Sequence, residues 1–209
     1  MQHYIVKPKI NPRAGILVLH AWWGLNQFLK DFCDRLADEG FLTLAPDLYH
    51  GKVAITIEDA EQLRSQMNRK IIAEDIIRSF EVLRAQPIIL ERPIGLIGFS
   101  LGGYWALWLV EQKPNDIIAT VIFYVTRSCI YSKTRSAFLS YFAETDEYVS
   151  ASGVKSLEKI LKNVGKEVTF YAYQGTGHWF FKSDQPAYNS QAACLAWCRT
   201  NDLFRKHLG

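Results

Sequence analysis

The chain has 209 residues, of which 49% are hydrophobic and 22% charged, and its formal net charge at pH 7 is +3. This composition is typical of a globular protein with a sizeable core, and the small, evenly spread charge does not favour nucleic acid or an anionic membrane as a partner. No apolar stretch reaches the roughly 18 residues of a transmembrane helix, and the first residues lack the apolar segment of a signal peptide. We therefore expect a cytoplasmic protein.

Strand and helix patterns alternate along the whole chain. In chain order they predict a strand at 15–20, a helix at 28–37, a strand at 41–45, helices at 58–67 and 69–85, a strand at 94–97, a helix at 104–110, strands at 117–125 and 137–143, a helix at 154–163, a strand at 168–173 and a last helix from about 186. This alternation favours a mostly parallel sheet with helices on both faces, and we interpret residues 1–209 as one domain. Ligands of such sheets bind where the strands end, so we look for functional residues in the loops that follow the strands.

Residues 98–103 read Gly-Phe-Ser-Leu-Gly-Gly and lie between a predicted strand and a predicted helix, with Ser100 near the centre. A G-x-S-x-G sequence in this position is typical of a nucleophile elbow, whose strained backbone raises the serine hydroxyl above the sheet beside a helix N-terminus. The bare match arises by chance in roughly 5–10% of chains of this length, given average glycine and serine usage. A closely packed turn is the alternative, and the flanking strand, the helix and the third glycine favour the elbow.

A serine hydroxyl is a weak nucleophile and needs a general base within hydrogen-bonding distance. His178 is the best candidate, because it follows the last predicted strand in a glycine-rich loop and comes after Ser100, as in elbow-type hydrolases. His3 and His207 lie near the chain ends and are interpreted as surface residues. A purely structural histidine is the alternative for His178.

The base in turn needs a carboxylate that holds its tautomer and stabilises the imidazolium. The loop that begins at Glu144 directly follows a predicted strand, whereas Asp116 precedes a strand and would lie at the opposite edge of the sheet. We choose Asp146, since its short side chain suits a tight turn, and keep Glu144 as the second choice. An exposed acidic loop is the remaining alternative.

Two backbone N–H groups are needed to bind the oxyanion of a tetrahedral intermediate. Leu101, directly after the nucleophile, supplies one of them. Trp22, in the loop that leaves the first core strand, is the candidate for the other. The indole rings of Trp22 and its neighbour Trp23 are equally compatible with packing in the core.

Further side chains in the strand-exit loops are candidates for the substrate pocket. The aromatic ones are Trp23, Tyr49, Tyr124 and Trp179, and the basic ones are Arg127 and Lys182. The two cations would suit a carboxylate on the substrate, or they are ordinary solvated surface charges.

The four cysteines form no C-x-x-C pair, although Cys194 and Cys198 lie on one side of a predicted helix. We therefore expect free, buried, structural thiols rather than metal or redox chemistry. The predicted site needs no metal and no cofactor.

Four segments of the chain together resemble the dienelactone hydrolase family of α/β-hydrolases. They are residues 19–26 (LHAWWGLN), 45–49 (APDLY), 98–103 (GFSLGG) and 175–178 (GTGH). The likeness runs through nearly the whole chain in order, and the combination is far more specific than any one segment.

The resemblance implies the α/β-hydrolase fold, with a mostly parallel sheet of eight strands, helices on both faces and no large cap domain. It also implies a catalytic triad of Ser100, Asp146 and His178. The oxyanion hole that it implies consists of the backbone N–H groups of Trp22 and Leu101.

Three positions depart from the family pattern. The enzymes that give the family its name have cysteine where this chain has Ser100, and glutamate where it has Ala21. The two changes are consistent with each other, because a serine activated by histidine does not need that carboxylate. They argue against dienelactone itself as the substrate. Val125 replaces a glycine that is usual in relatives, so the loop that follows it is expected to differ.

The combined expectation is a hydrolase that cleaves a small carboxylic ester or lactone through an acyl-enzyme, as a monomer or a weak homo-oligomer. A thioesterase, peptidase or acyltransferase with the same triad is the first alternative, since an elbow fixes the nucleophile and not the acyl group. A non-catalytic binding protein of the same fold is the second.

Overall fold

The computed structural model describes residues 2–209, which form a seven-stranded sheet and the helices that cover it. The strands are β1 (His3–Val6), β2 (Gly15–Leu19), β3 (Leu42–Pro46), β4 (Ile94–Phe99), β5 (Ile117–Phe123), β6 (Ala137–Ala143) and β7 (Val168–Tyr173). The α-helices are α1 (Gln27–Asp38), α2 (Ile57–Ser65), α3 (Arg69–Arg84), α4 (Leu101–Gln112), α5 (Ala151–Asn163) and α6 (Ser190–Leu208).

The strand order across the sheet is β1-β3-β2-β4-β5-β6-β7, and every pair except β1–β3 is parallel. The predicted α/β class with a mostly parallel sheet is therefore confirmed. The expectation of eight strands is wrong for the described residues, which form seven. At one edge of the sheet, β1 pairs directly with β3 in the register His3↔Pro46 to Val6↔Thr43. Residues 7–14, which connect β1 to β2, form no further strand.

The strands at the centre of the sheet are buried on both faces, which explains why β2 and β4 are continuously apolar. Ile16 and Val18 of β2 face a core layer with α1 and α6, whereas Leu17 and Leu19 face the opposite layer with α3, α4 and α5. Each of these fully buried side chains contributes about 1.5–3 kcal/mol to folding by leaving water. The loops that follow these strands therefore leave a sheet that is packed on both faces.

The element ends differ from the sequence prediction in ways that local capping explains. The last helix begins at Ser190, with the Asn189 side chain accepting a hydrogen bond from the Ala192 N–H, and not near residue 186. Helix α5 begins at Ala151, three residues before the predicted start, and is capped by Ser150. Strand β1 was not predicted, because it is a four-residue, half-exposed edge strand.

All four cysteines are free, but burial of their thiols was predicted correctly only for Cys33. Cys129 is half-buried, and Cys194 and Cys198 are exposed on α6. The prediction is wrong for the last two because the core-facing side of α6 is formed by other residues, including Ala192 and Ala196. Among the described helices, none has both the length and the apolar character needed to cross a membrane.

Candidate active site

Ser100 lies at a sharp turn between β4 and α4, with φ 50° and ψ −112°. A non-glycine residue with this backbone conformation is strained, and the hydrogen bond from the Ser100 N–H to the Phe123 carbonyl (3.0 Å) helps to hold it. The flanking glycines are required by close backbone approach. A Cβ at Gly98 would lie 2.5 Å from the Gly102 oxygen, and one at Gly102 would lie 2.1 Å from the Leu19 oxygen.

The structure brings the side chains of Ser100, His178 and Asp146 together in one line of hydrogen bonds. Ser100 Oγ is 3.0 Å from His178 Nε2, and His178 Nδ1 is 2.8 and 2.7 Å from the two Asp146 oxygens. A carboxylate only accepts, so Nδ1 carries the proton and Nε2 is free to accept the serine proton. Asp146 Oδ1 also accepts from the N–H groups of Tyr148 (2.9 Å) and Val149 (3.0 Å), which fixes the carboxylate.

The alternative acid, Glu144, lies elsewhere. Its carboxylate accepts a hydrogen bond from the Gly175 N–H (2.8 Å) and so braces the loop that leads to His178. Asp146 rather than Glu144 therefore contacts the imidazole.

Three aromatic rings surround the imidazole of His178. Its ring centroid is 4.7 Å from Tyr124, 4.8 Å from Tyr148 and 4.4 Å from Trp179. The side chains of His178 and Asp146 are each only 4% exposed. Exclusion of water strengthens the His178–Asp146 contact, because the local dielectric constant is low. The same burial raises the pKa of the Tyr124 hydroxyl, which keeps it neutral beside the imidazole.

Trp22 and Leu101, the two candidates for the oxyanion hole, both line the pocket beside Ser100. Leu101 is the first residue of α4, so its N–H has no partner within the helix. Within residues 2–209, the Trp22 N–H donates to no backbone carbonyl. Neither N–H group therefore has a backbone acceptor among the described residues, as an oxyanion hole requires.

The pocket at Ser100 has a volume of about 360 Å³. Of the other residues proposed for it, Tyr124 and Trp179 line it, whereas Trp23, Tyr49, Arg127 and Lys182 do not. Trp23 packs behind Trp22 and Trp179, at ring distances of 5.9 and 5.7 Å. Tyr49 is buried against the ring of His20 at 5.1 Å.

The two predicted cations have partners inside the protein. The Arg127 guanidinium lies 4.0 Å from the ring centre of Tyr104 and donates to the Tyr104 carbonyl at 3.1 Å. The ammonium group of Lys182 is buried, pairs with Asp184 and lies 5.3 Å from the Trp23 ring centre. Neither side chain reaches the pocket, because packing directs both away from it.

Sequence reasoning missed the side of the pocket formed by α2, α3 and α4. On and between these helices, the missed residues are Arg64, Met67, Arg69, Tyr104 and Trp105, and the loop after β6 adds Tyr148 and Val149. Arg64, near the end of α2, and Arg69, at the start of α3, are exposed and line the pocket. No sequence signal predicted this, since α2 buries only Ala60 and its apolar pattern says little about where it docks.

The family model for the dienelactone hydrolase family matches residues 1–208. The chain belongs to this family. A curated relative from Aquifex aeolicus, named "Putative carboxymethylenebutenolidase", is 32% identical over 98% of this chain and 93% of its own length. A relative from Bradyrhizobium, named "Probable 2-oxo-3-(5-oxofuran-2-ylidene)propanoate lactonase", is 24% identical over 98% and 89% of the two chains.

The dienelactone hydrolase fold is also found by comparison with solved structures. The structure of a dienelactone hydrolase-like promiscuous phosphotriesterase from metagenomic libraries matches with a TM-score of 0.82 and 22% identity, covering 96% of this chain and 89% of the other. The family consists of hydrolases, so the chain is placed among ester-cleaving enzymes of the α/β-hydrolase superfamily.

The side chain of Val125 fills space beside the elbow. A Cβ at Gly103 would lie 2.4 Å from Val125 Cγ1, so the third glycine of the elbow makes room for this side chain. Tyr124, directly before it, has φ 43°. Val125 and Leu101 both line the pocket.

Proposed function

We propose that this protein is a serine hydrolase that cleaves a small carboxylic ester or lactone through a covalent acyl-enzyme. Ser100 is the nucleophile, His178 the general base and acid, and Asp146 orients His178. The N–H groups of Trp22 and Leu101 bind the oxyanion. The observation that carries the proposal is the continuous line of hydrogen bonds from Ser100 Oγ through His178 to Asp146, at the wall of a pocket of about 360 Å³.

In the first half-reaction, Ser100 Oγ forms a bond to the substrate carbonyl carbon while its proton moves to His178 Nε2. Collapse of the tetrahedral intermediate breaks the bond to the alkoxy oxygen, and His178 returns the proton to that oxygen. In a lactone, the released alcohol stays attached to the acyl group. Water then attacks the acyl-enzyme by the same route, which releases the acid and restores Ser100.

The pocket is suited to a small substrate that has a planar, apolar body and a carboxylate. Its volume is at the lower end of the range for small-molecule sites, and six of its lining residues are tryptophan or tyrosine. Arg64 and Arg69 supply positive charge on the wall formed by α2 and α3. The Bradyrhizobium relative is named for a lactone that carries a propanoate group, which fits the same chemistry.

The nucleophile is tested by measuring hydrolysis of a short p-nitrophenyl ester by the wild type, S100A and S140A. Ser140 is the matched control, because its hydroxyl is buried on β6 and has no hydrogen-bond partner. We expect S100A to lose at least about 10³-fold in kcat, since triad residues act as a unit, and S140A to keep wild-type activity. Wild-type turnover by S100A would refute the assignment.

Labelling separates an enzyme from a non-catalytic binding protein of the same fold. A fluorophosphonate reacts only with an activated serine, so the intact mass of the wild type and of S140A should increase by one adduct. S100A should show no adduct. An unlabelled wild type would favour the binding protein.

The acyl group is decided by a panel of matched esters, lactones and thioesters, with and without a carboxylate. We expect the highest kcat/KM for a small anionic ester or lactone. Preference for the thioester of the same acyl group would instead favour the thioesterase alternative, with the same three residues acting.

A further inference from the structure

His20 is a buried histidine outside the proposed triad and lies directly after β2, in the loop that leads to Trp22. His20 is only 1% exposed, and both nitrogens of its ring contact backbone groups. Nδ1 is 2.7 Å from the Ala21 carbonyl oxygen. Nε2 is 3.1 Å from the N–H nitrogen of Leu48, in the loop after β3. The imidazole therefore links two strand-exit loops.

These two contacts determine the tautomer of His20. The Leu48 N–H can only donate, so Nε2 must carry a lone pair, and the Ala21 carbonyl can only accept, so Nδ1 must carry the proton. The ring is consequently neutral. Burial lowers the pKa of His20, which stabilises the same neutral form.

The Ala21 carbonyl and the Trp22 N–H belong to the same peptide group. The described residues include no cis peptide bond, and in a trans peptide these two groups point in opposite directions. The Ala21 oxygen accepts from His20 Nδ1 and also from the Gly24 N–H at 3.1 Å, which closes a turn. Holding this carbonyl therefore holds the direction of the Trp22 N–H.

We propose that His20 is a positioning residue that orients the Ala21–Trp22 peptide group, so that the Trp22 N–H points at the oxyanion formed on Ser100. The inference rests on the proposed function, because it requires an acyl-transfer reaction at Ser100. An oxyanion exists only in the transition state and the intermediate, so loss of this orientation lowers kcat and leaves KM nearly unchanged.

Two variants separate this role from a general contribution to stability. The side-chain amide of H20N lies at the position of Nδ1 and can still donate to the Ala21 carbonyl. The longer amide of H20Q reaches the position of Nε2 and can still accept from the Leu48 N–H. Each variant keeps one of the two hydrogen bonds, so thermal unfolding is expected to show comparable destabilisation.

With a short p-nitrophenyl ester, we expect H20Q to lose about 10- to 100-fold in kcat, a part of the effect of removing one oxyanion donor. H20N should stay within about threefold of the wild type, and KM should change by less than about threefold in both. Equal kcat values for two folded variants, or a loss that appears in KM, would overturn the inference. If H20Q does not fold, a loss in kcat of more than about threefold in folded H20N overturns the inference, and a change within threefold supports it.

The wild type and S100A are measured alongside, so that the two proposals fail separately. An inactive wild type, or an S100A variant as active as the wild type, would refute the proposed function itself. An active wild type with inactive S100A and unaffected H20Q would refute only the role of His20.

Discussion

The elbow region and the α2–α3 region both line the same pocket and are built in different ways. Around Ser100 the backbone is crowded, and a Cβ at Gly102 would lie only 2.1 Å from a carbonyl oxygen. Helix α2, by contrast, buries only Ala60 and begins with an exposed capping box of Thr56 and Asp59. The difference suggests that the reacting groups need a rigid support, whereas the wall that meets the rest of the substrate can vary.

Among the changes that test this difference between the two regions, the largest effect is expected from D146N. The amide has the same shape as the carboxylate of Asp146 but different hydrogen-bonding groups. An amide in place of the carboxylate favours the wrong tautomer of His178, and the expected loss in kcat is about 10⁴-fold. The matched control is E144Q, because Glu144 accepts from the Gly175 N–H and an amide oxygen can still do so. Activity is measured with the p-nitrophenyl ester. Similar losses in D146N and E144Q would contradict the assignment of the acid.

The crowding at the elbow is tested by G102A. The added methyl group would overlap the Leu19 carbonyl, so the free energy of unfolding should fall by about 3 kcal/mol and the serine should move. G165A is the control, since Gly165 has φ +70° but nothing within 4 Å, and strain alone costs about 1 kcal/mol. Chemical denaturation measures both. A smaller loss for G102A than for G165A would show that the elbow is not rigid.

The residues of the candidate site indicate how much of the fold and of the site could be predicted from the sequence. Ser100, Asp146 and His178 each follow a strand, and the carboxyl ends of parallel strands meet at one edge, so their proximity could be expected from the order of elements. The directions of Arg127 and Lys182 could not, because they depend on contacts with Tyr104 and Asp184 that form only after packing. The same holds for the docking of α2, which has almost no buried residues.

The pH dependence of stability tests whether His20, in the loop beside the elbow, is neutral in the folded protein. Burial lowers the pKa of His20 in the folded protein, whereas in the unfolded chain it stays at its ordinary value of about 6.5. Below pH 6.5 the unfolded chain therefore binds more protons at His20 than the folded protein does. The contribution of the neutral His20 to the free energy of unfolding is therefore fully present above pH 6.5. It is lost as the pH falls, by at most about 1.4 kcal/mol per pH unit. H20N lacks the group, so its stability should fall less steeply between pH 6.5 and 5. Asp47 and Tyr49, which face His20, are present in both proteins.

Urea denaturation at several pH values measures the difference between the two slopes. The pKa of His3 is also lowered, but this residue is unchanged in H20N, and its contribution cancels in the comparison. Parallel curves for the wild type and H20N would show that His20 is not a neutral, buried imidazole in the folded protein.

The smallest effects are expected on the α2–α3 side, where R64Q and R69Q remove exposed charges from the pocket wall. Exposed charge pairs contribute about 0.2–1 kcal/mol, so each change should raise KM for an anionic ester by up to about fivefold and leave kcat unchanged. The effect should weaken at high salt, because exposed charges are screened over about 10 Å at 0.1 M.

Two controls make this prediction specific. A neutral ester of the same shape should show no change in KM, and R78Q should behave like the wild type, since Arg78 is exposed on α3 but does not line the pocket. If R64Q and R69Q lowered kcat for the neutral ester, the α2–α3 wall would support the reacting groups directly.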